Sequence, residues 1–162
     1  MIDTRKVKDR RALRFDSLET ALADAAMLAE AEQRGSLRST GNWTLGQALG
    51  HLAYWARAPF EGYPDVNTAP WYIRVIARPF KGYLLNGKLP AGTRIPKAPE
   101  GTYGIDLMET EEGLSRLREA FGRLSKESPS VPNVVFGKMS HNEWIQFNLR
   151  HAELHLSFFH PQ

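Results

Sequence analysis

A chain of 162 residues is long enough for one domain with its own core, and 42% apolar with 24% charged residues is the balance of a soluble globular protein. It holds no cysteine, which excludes disulfides, thiolate metal sites and cysteine nucleophiles, so any thiol chemistry must use a thiol brought by the substrate. The formal charge of +3 is too small to indicate a nucleic-acid partner, and no apolar run reaches the ~18 residues of a membrane span.

The whole chain, 1–162, is expected to form a single domain. Residues 1–14 carry Arg5, Lys6, Lys8, Arg10, Arg11 and Arg14 and read as a basic, solvated, flexible segment. They contain no apolar stretch like that of a secretory leader, so a cytoplasmic location is expected. Phe15-Asp16-Ser17-Leu18-Glu19 reads as a helix start, with Asp16 as N-cap and Glu19 in the capping-box position. Leu18, Leu22, Ala25 and Ala29 follow at helical spacing, and Gly35 ends the helix. Thr44-Leu45-Gly46-Gln47 repeats the capping box and opens a second helix with Leu45, Leu49, Leu52 and Ala56 on its core face. His51 lies at the edge of that face, and Pro59, Gly62 and Pro64 mark the exit.

From Pro70 to about Asn86 the pattern predicts an additional helix, broken or kinked at Pro79, and the Pro- and Gly-rich stretch Leu89 to Leu107 predicts an extended connector. Together they make a connection long enough to carry the chain along a bundle. A further helix is expected from about Thr110 to Lys126, with Leu114, Leu117, Phe121 and Leu124 as its seam. Ser140-His141-Asn142-Glu143 is a third capping box, starting a last helix that reads as continuing to Phe159.

That last helix carries the most informative pattern. Trp144, Phe147, His151, His155 and Phe158 fall on one face, and Gln146, Arg150, Glu153 and Ser157 on the other. Two histidines at i and i+4 inside an apolar stripe can grip one ion, and His51 is the natural third ligand. The alternative is that each imidazole is satisfied by a carbonyl or carboxylate. His141 and His160 read as surface residues. Trp55, Trp144 and Asn148, one or two turns from these histidines, are candidates for lining a substrate cavity, although tryptophans at helical spacing are usually core. His151-Ala-Glu-Leu-His155 is not the zinc-protease motif, because Glu153 points about 200° away from His151 around the helix. Gly82 to Lys88 has P-loop spacing, but Leu89 stands where the magnesium-binding hydroxyl is required.

The stretch from Trp43 to Ala53, with Gly50-His51-Leu52, resembles the second-helix signature of the DinB-like superfamily, and Glu143 to Leu156 resembles its fourth-helix His-x-x-x-His signature. The resemblance implies an all-α four-helix bundle in up-down-down-up order, with the extra helix lying in the long crossover between the second and third bundle helices. It implies a divalent metal on His51, His151 and His155, zinc first, with nickel and iron as alternatives. It further implies a metal-dependent transferase acting on a small molecule, a low-molecular-weight thiol, in a chain that associates as a homodimer. A non-catalytic metal-binding or stress-response protein and a metal-dependent hydrolase are the other readings.

Overall fold

Reciprocal capping boxes start three of the helices, each satisfying backbone N–H groups that a helix end leaves without partners. The computed structural model describes residues 2–63, 78–95 and 98–162. Helix α1 spans Leu18–Gln33, with Ser17 as N-cap and Thr20 completing the box. This corrects the expected Asp16–Glu19 pair by one residue: Ser17 has the extended backbone (φ −147°, ψ 163°) that lets its hydroxyl accept the Thr20 N–H. Helix α2, Leu45–Glu61, starts on Thr44 and Gln47 as expected; it runs past Pro59 and ends at Gly62, whose φ of 97° suits glycine. A 3₁₀ turn, Arg78–Phe80, leads into a short helix α3, Lys81–Asn86. The expected crossover helix is described only over this part, since residues 64–77 lie outside the described residues.

The connector up to Glu109 is irregular where described, apart from a 3₁₀ turn at Pro99–Gly101. Helix α4, Thr110–Lys126, has no side-chain cap but carries Glu111 and Glu112 in its first turn and Arg123 and Lys126 in its last, the order that opposes the helix dipole. Its seam residues Leu114, Leu117, Phe121 and Leu124 are buried as expected. Helix α5 spans His141–Leu156 on the Ser140–Glu143 box. The protein is therefore mostly helical.

The most extensive helix contact is between α2 and α4. Glycines on both sides permit the approach: a Cβ on Gly113 would stand 2.8 Å from the Gly46 carbonyl oxygen and 3.0 Å from Leu49 Cβ, and one on Gly46 would collide with the Met108 carbonyl. Leu45, Leu49 and Leu52 of α2 pack in the same core as Leu28 of α1 and Trp144 and Leu156 of α5.

Two strands unforeseen in the sequence close the chain. β1, Leu37–Ser39, pairs antiparallel with β2, Phe159–Pro161, in the register Leu37 to Pro161. Thr40 N–H to the Phe158 carbonyl and Gln162 N–H to the Ser36 carbonyl extend the pairing. The last helix consequently stops at Leu156, with Ser157 as C-cap, rather than reaching Phe159. This ladder fixes the end of α5 beside the segment leading into α2.

The second face of α5 is only partly exposed. Gln146 is exposed, but Arg150, Glu153 and Ser157 are buried. Glu153 Oε1 accepts the Phe15 N–H at 2.6 Å and pairs with Arg150 at 2.8 Å, while Arg150 also donates to the Phe15 carbonyl. Nearby, Arg10 donates to Ser157 Oγ and the Leu154 carbonyl, and Arg11 donates to Asp24 and the Leu156 carbonyl. The basic segment read as solvated is thus tied onto α5 by Arg10 and Arg11, because the last turn of α5 offers them carbonyls that no further helical N–H uses. Among the described residues, no helix is long and apolar enough to cross a membrane.

The glycine contacts yield opposite expectations for two alanine variants. Gly46→Ala should lower stability by about 1–3 kcal/mol through overpacking against backbone. Gly122→Ala, inside α4 with nothing within 4 Å of the added methyl, should raise it by about 0.5–1 kcal/mol. Denaturant titration of both variants checks this; an unchanged Gly46→Ala midpoint would contradict the close approach.

Candidate metal centre

His51 projects from the middle of α2, and His151 and His155 from successive turns of α5. The three contribute one ring nitrogen each to a group whose atoms all lie within 4.8 Å of one another. Nε2 of His151 is 3.2 Å from Nε2 of His51, a residue 100 positions away, and 3.0 Å from Nε2 of His155. His51 and His151 are buried and His155 is half-buried.

The tautomer of His51 is fixed by the fold. Its Nδ1–H donates to the Tyr103 carbonyl at 2.8 Å, so in the neutral ring the Nε2 lone pair faces the other two histidines. The connector comes this close because Gly104 follows: its φ is +72°, and a Cβ there would stand 2.6 Å from Tyr54 Cβ. Burial lowers the pKa of His51 to about 4 against the opposing pull of the Tyr103 carbonyl. His151 and His155 are pushed well below the ordinary histidine range, first by burial and then by the neighbouring imidazoles. All three rings are therefore neutral at pH 7.

This donor set fits a transition-metal ion. One proton on His151 Nε2 could serve only one of its two close neighbours, so at least one pair of lone pairs faces another without a hydrogen between them; a cation at the centre would turn all three into ligands. Tetrahedral zinc with bonds of about 2.0–2.1 Å places ligand nitrogens about 3.3 Å apart, close to the two separations of 3.2 and 3.0 Å that His151 makes. Nδ1 of His151 is buried without a partner among the described residues, and no carboxylate enters the group.

Aromatic rings enclose the histidines. Trp43 stacks on His155 (5.0 Å between centroids, 11° between planes) and tilts against His51 at 4.9 Å. Phe147 stacks on His151 at 6.0 Å, and Trp55 meets His51 edge-on at 6.3 Å.

 

Of the residues expected to line a cavity, only Trp55 has a ring contact with the histidines. Trp144 lies in the hydrophobic core at 2% exposure, and Asn148, equally buried, donates to the Trp144 carbonyl. His141 lies away from the group and faces the Leu124 carbonyl at 2.6 Å, and His160 faces the Asp9 carbonyl at 3.3 Å. Sequence reasoning missed Trp43 and the Tyr103 carbonyl as parts of the site. Trp43 could have been found, since it directly precedes the Thr44 cap, where an apolar residue often packs back on the helix. A backbone carbonyl leaves no mark in a sequence.

Depressed histidine pKa values make the metal-free protein sensitive to acid. Unfolded histidine takes a proton near pH 6.5 that folded His51 refuses until about pH 4, so stability present above pH 6.5 is lost as the pH falls toward 4. His51 alone should account for about 3 kcal/mol over that window. Denaturant titrations of metal-free protein at pH 7 and pH 5 check this, and equal stabilities at the two would contradict neutral burial of the rings.

Residues 7–162 match the family described as "Protein of unknown function (DUF1569)". No curated protein and no solved structure matches the chain. With nearly its whole length covered, the chain belongs to the DUF1569 family, a family of DinB-like type.

Proposed function

We propose that this protein holds one divalent transition-metal ion, zinc first, on Nε2 of His51, His151 and His155, and acts as a metal-dependent transferase on a low-molecular-weight thiol. The observation that carries the reading is the convergence of three neutral imidazoles, two of them buried and one half-buried, on one point. Membership of a family of DinB-like type supports it, as does the helix order, and with it we read α1, α2, α4 and α5 as an up-down-down-up four-helix bundle with α3 in the crossover.

Held by neutral ligands, a divalent ion keeps its full charge and lowers the pKa of a thiol that reaches it. The chain's own residues prepare the site for this. Tyr103 holds His51 in the tautomer with Nε2 free, and Trp43 and Phe147 exclude water from the rings of His155 and His151. The half-buried edge at His155 and the ring of Trp55 mark the side from which a substrate would approach. Glu153, the carboxylate between the two α5 ligands in sequence, is committed to Phe15 and Arg150. Thiol transfer suits this arrangement better than hydrolysis: a thiol of pKa about 8.5 needs only modest acidification, whereas water profits from a general base.

The near-complete enclosure of His51, at 3% exposure, favours a second reading, a metal-binding protein without turnover. Protein purified without a nickel column should retain about one zinc per chain by elemental analysis, and His51→Ala should lose it. Zinc-loaded protein should consume a thiol with an electrophilic acceptor at least about 100-fold faster than the variant. Zinc retention with no thiol consumed would leave the second reading, and a wild-type chain that retains no metal would remove both.

A further inference from the structure

On the face of α5 that carries Arg150 and Glu153, the N-terminal segment and the start of the connector enclose a cleft of about 220 Å³. Lys8, Arg10, Arg11, Lys88, Arg150 and Glu153 line it. Five cations therefore meet one carboxylate in a space worth several water volumes of about 30 Å³ each. Two of the cations are already matched: Arg11 by Asp24 at 2.7 Å and Arg150 by Glu153 at 2.8 Å.

The others are not. Arg10 donates to neutral oxygens, Ser157 Oγ and the Leu154 carbonyl, and burial lowers the pKa of its guanidinium. Lys8 and Lys88 are exposed, and among the described residues neither lies within 4.0 Å of a carboxylate, although Lys88 is near enough to Glu153 to favour its charged form. In addition, the Nε atoms of Arg11 and Arg150 are buried donors without an acceptor among the described residues, and Arg150 is only 4% exposed. Positive charge and unused donors thus accumulate around one open cleft, whose buried floor at Arg150 strengthens attraction for an anion.

We propose that this cleft binds a small phosphate-bearing dianion between Lys8, Arg10 and Lys88. A monocarboxylate would leave most of the uncompensated charge in place, whereas a phosphate group carries nearly two charges and several acceptor oxygens on one centre. The volume leaves room for a few further atoms on the phosphate. A polymer is disfavoured because Arg10, Arg11 and Arg150 are turned into the fold by their bonds to α5, α1 and Phe15 and do not form an open track.

Calorimetric titration of the full chain at matched ionic strength tests the assignment, with inorganic phosphate, glycerol phosphate and acetate as probes. Either phosphate probe should bind with 1:1 stoichiometry, and acetate about tenfold more weakly or not at all. Tighter binding of glycerol phosphate would identify an ester as the preferred form, and tighter binding of inorganic phosphate would identify the free ion. The double variant Lys8→Gln/Lys88→Gln should bind phosphate about tenfold more weakly while melting, without phosphate, no lower than wild type. Absence of binding by both phosphate probes, wild-type affinity in the double variant, or equal binding of acetate would overturn the proposal. So would binding of RNA or anionic vesicles that phosphate does not compete away.

Discussion

Three imidazole Nε2 atoms turned toward one another at the junction of α2 and α5 are the constraint on which the rest depends. Burial holds His51, His151 and His155 neutral, and the bond to Tyr103 leaves Nε2 of His51 a donor of electrons rather than of a proton. Such an arrangement is unfavourable unless something fixes the rings. The Tyr103 carbonyl fixes His51, the stacks of Trp43 and Phe147 fix His155 and His151, and the β1–β2 ladder fixes the end of the helix that carries two of the three.

Helix α5 is anchored on two sides. One face presents the histidines to α2, and the other is closed by Phe15 and the arginines of the N-terminal segment. The Arg150–Glu153 pair is enclosed there, and a buried ion pair is tolerated only where further bonds use its remaining donors and acceptors. Phe15 supplies two of these, its N–H to Glu153 and its carbonyl to Arg150. The N-terminal segment is therefore part of what positions α5, and through α5 the histidines.

Much of this was legible in the sequence where a period or a cap exposes it. The Thr44 and Ser140 boxes, the leucine seam of α4 and the pairing of His151 with His155 follow from spacing, and His51 joins that pair through the resemblance of the second helix to the DinB-like signature. The remainder was hidden for physical reasons. At the first helix two adjacent residues, Asp16 and Ser17, can both cap, and only the backbone angles decide between them. Strands of three residues are too short to show alternation, so β2 read as the end of a helix. The burial of Arg150, Glu153 and Ser157 has no mark in the helix pattern, because they bond to a segment distant in sequence.

X-ray absorption at the zinc edge would test the convergence most directly, since it reads the atoms around the metal rather than the behaviour of the chain. The account predicts about three imidazole nitrogens at about 2.0–2.1 Å, with one further light ligand. A shell of six oxygens, or one with fewer than two imidazoles, would contradict it.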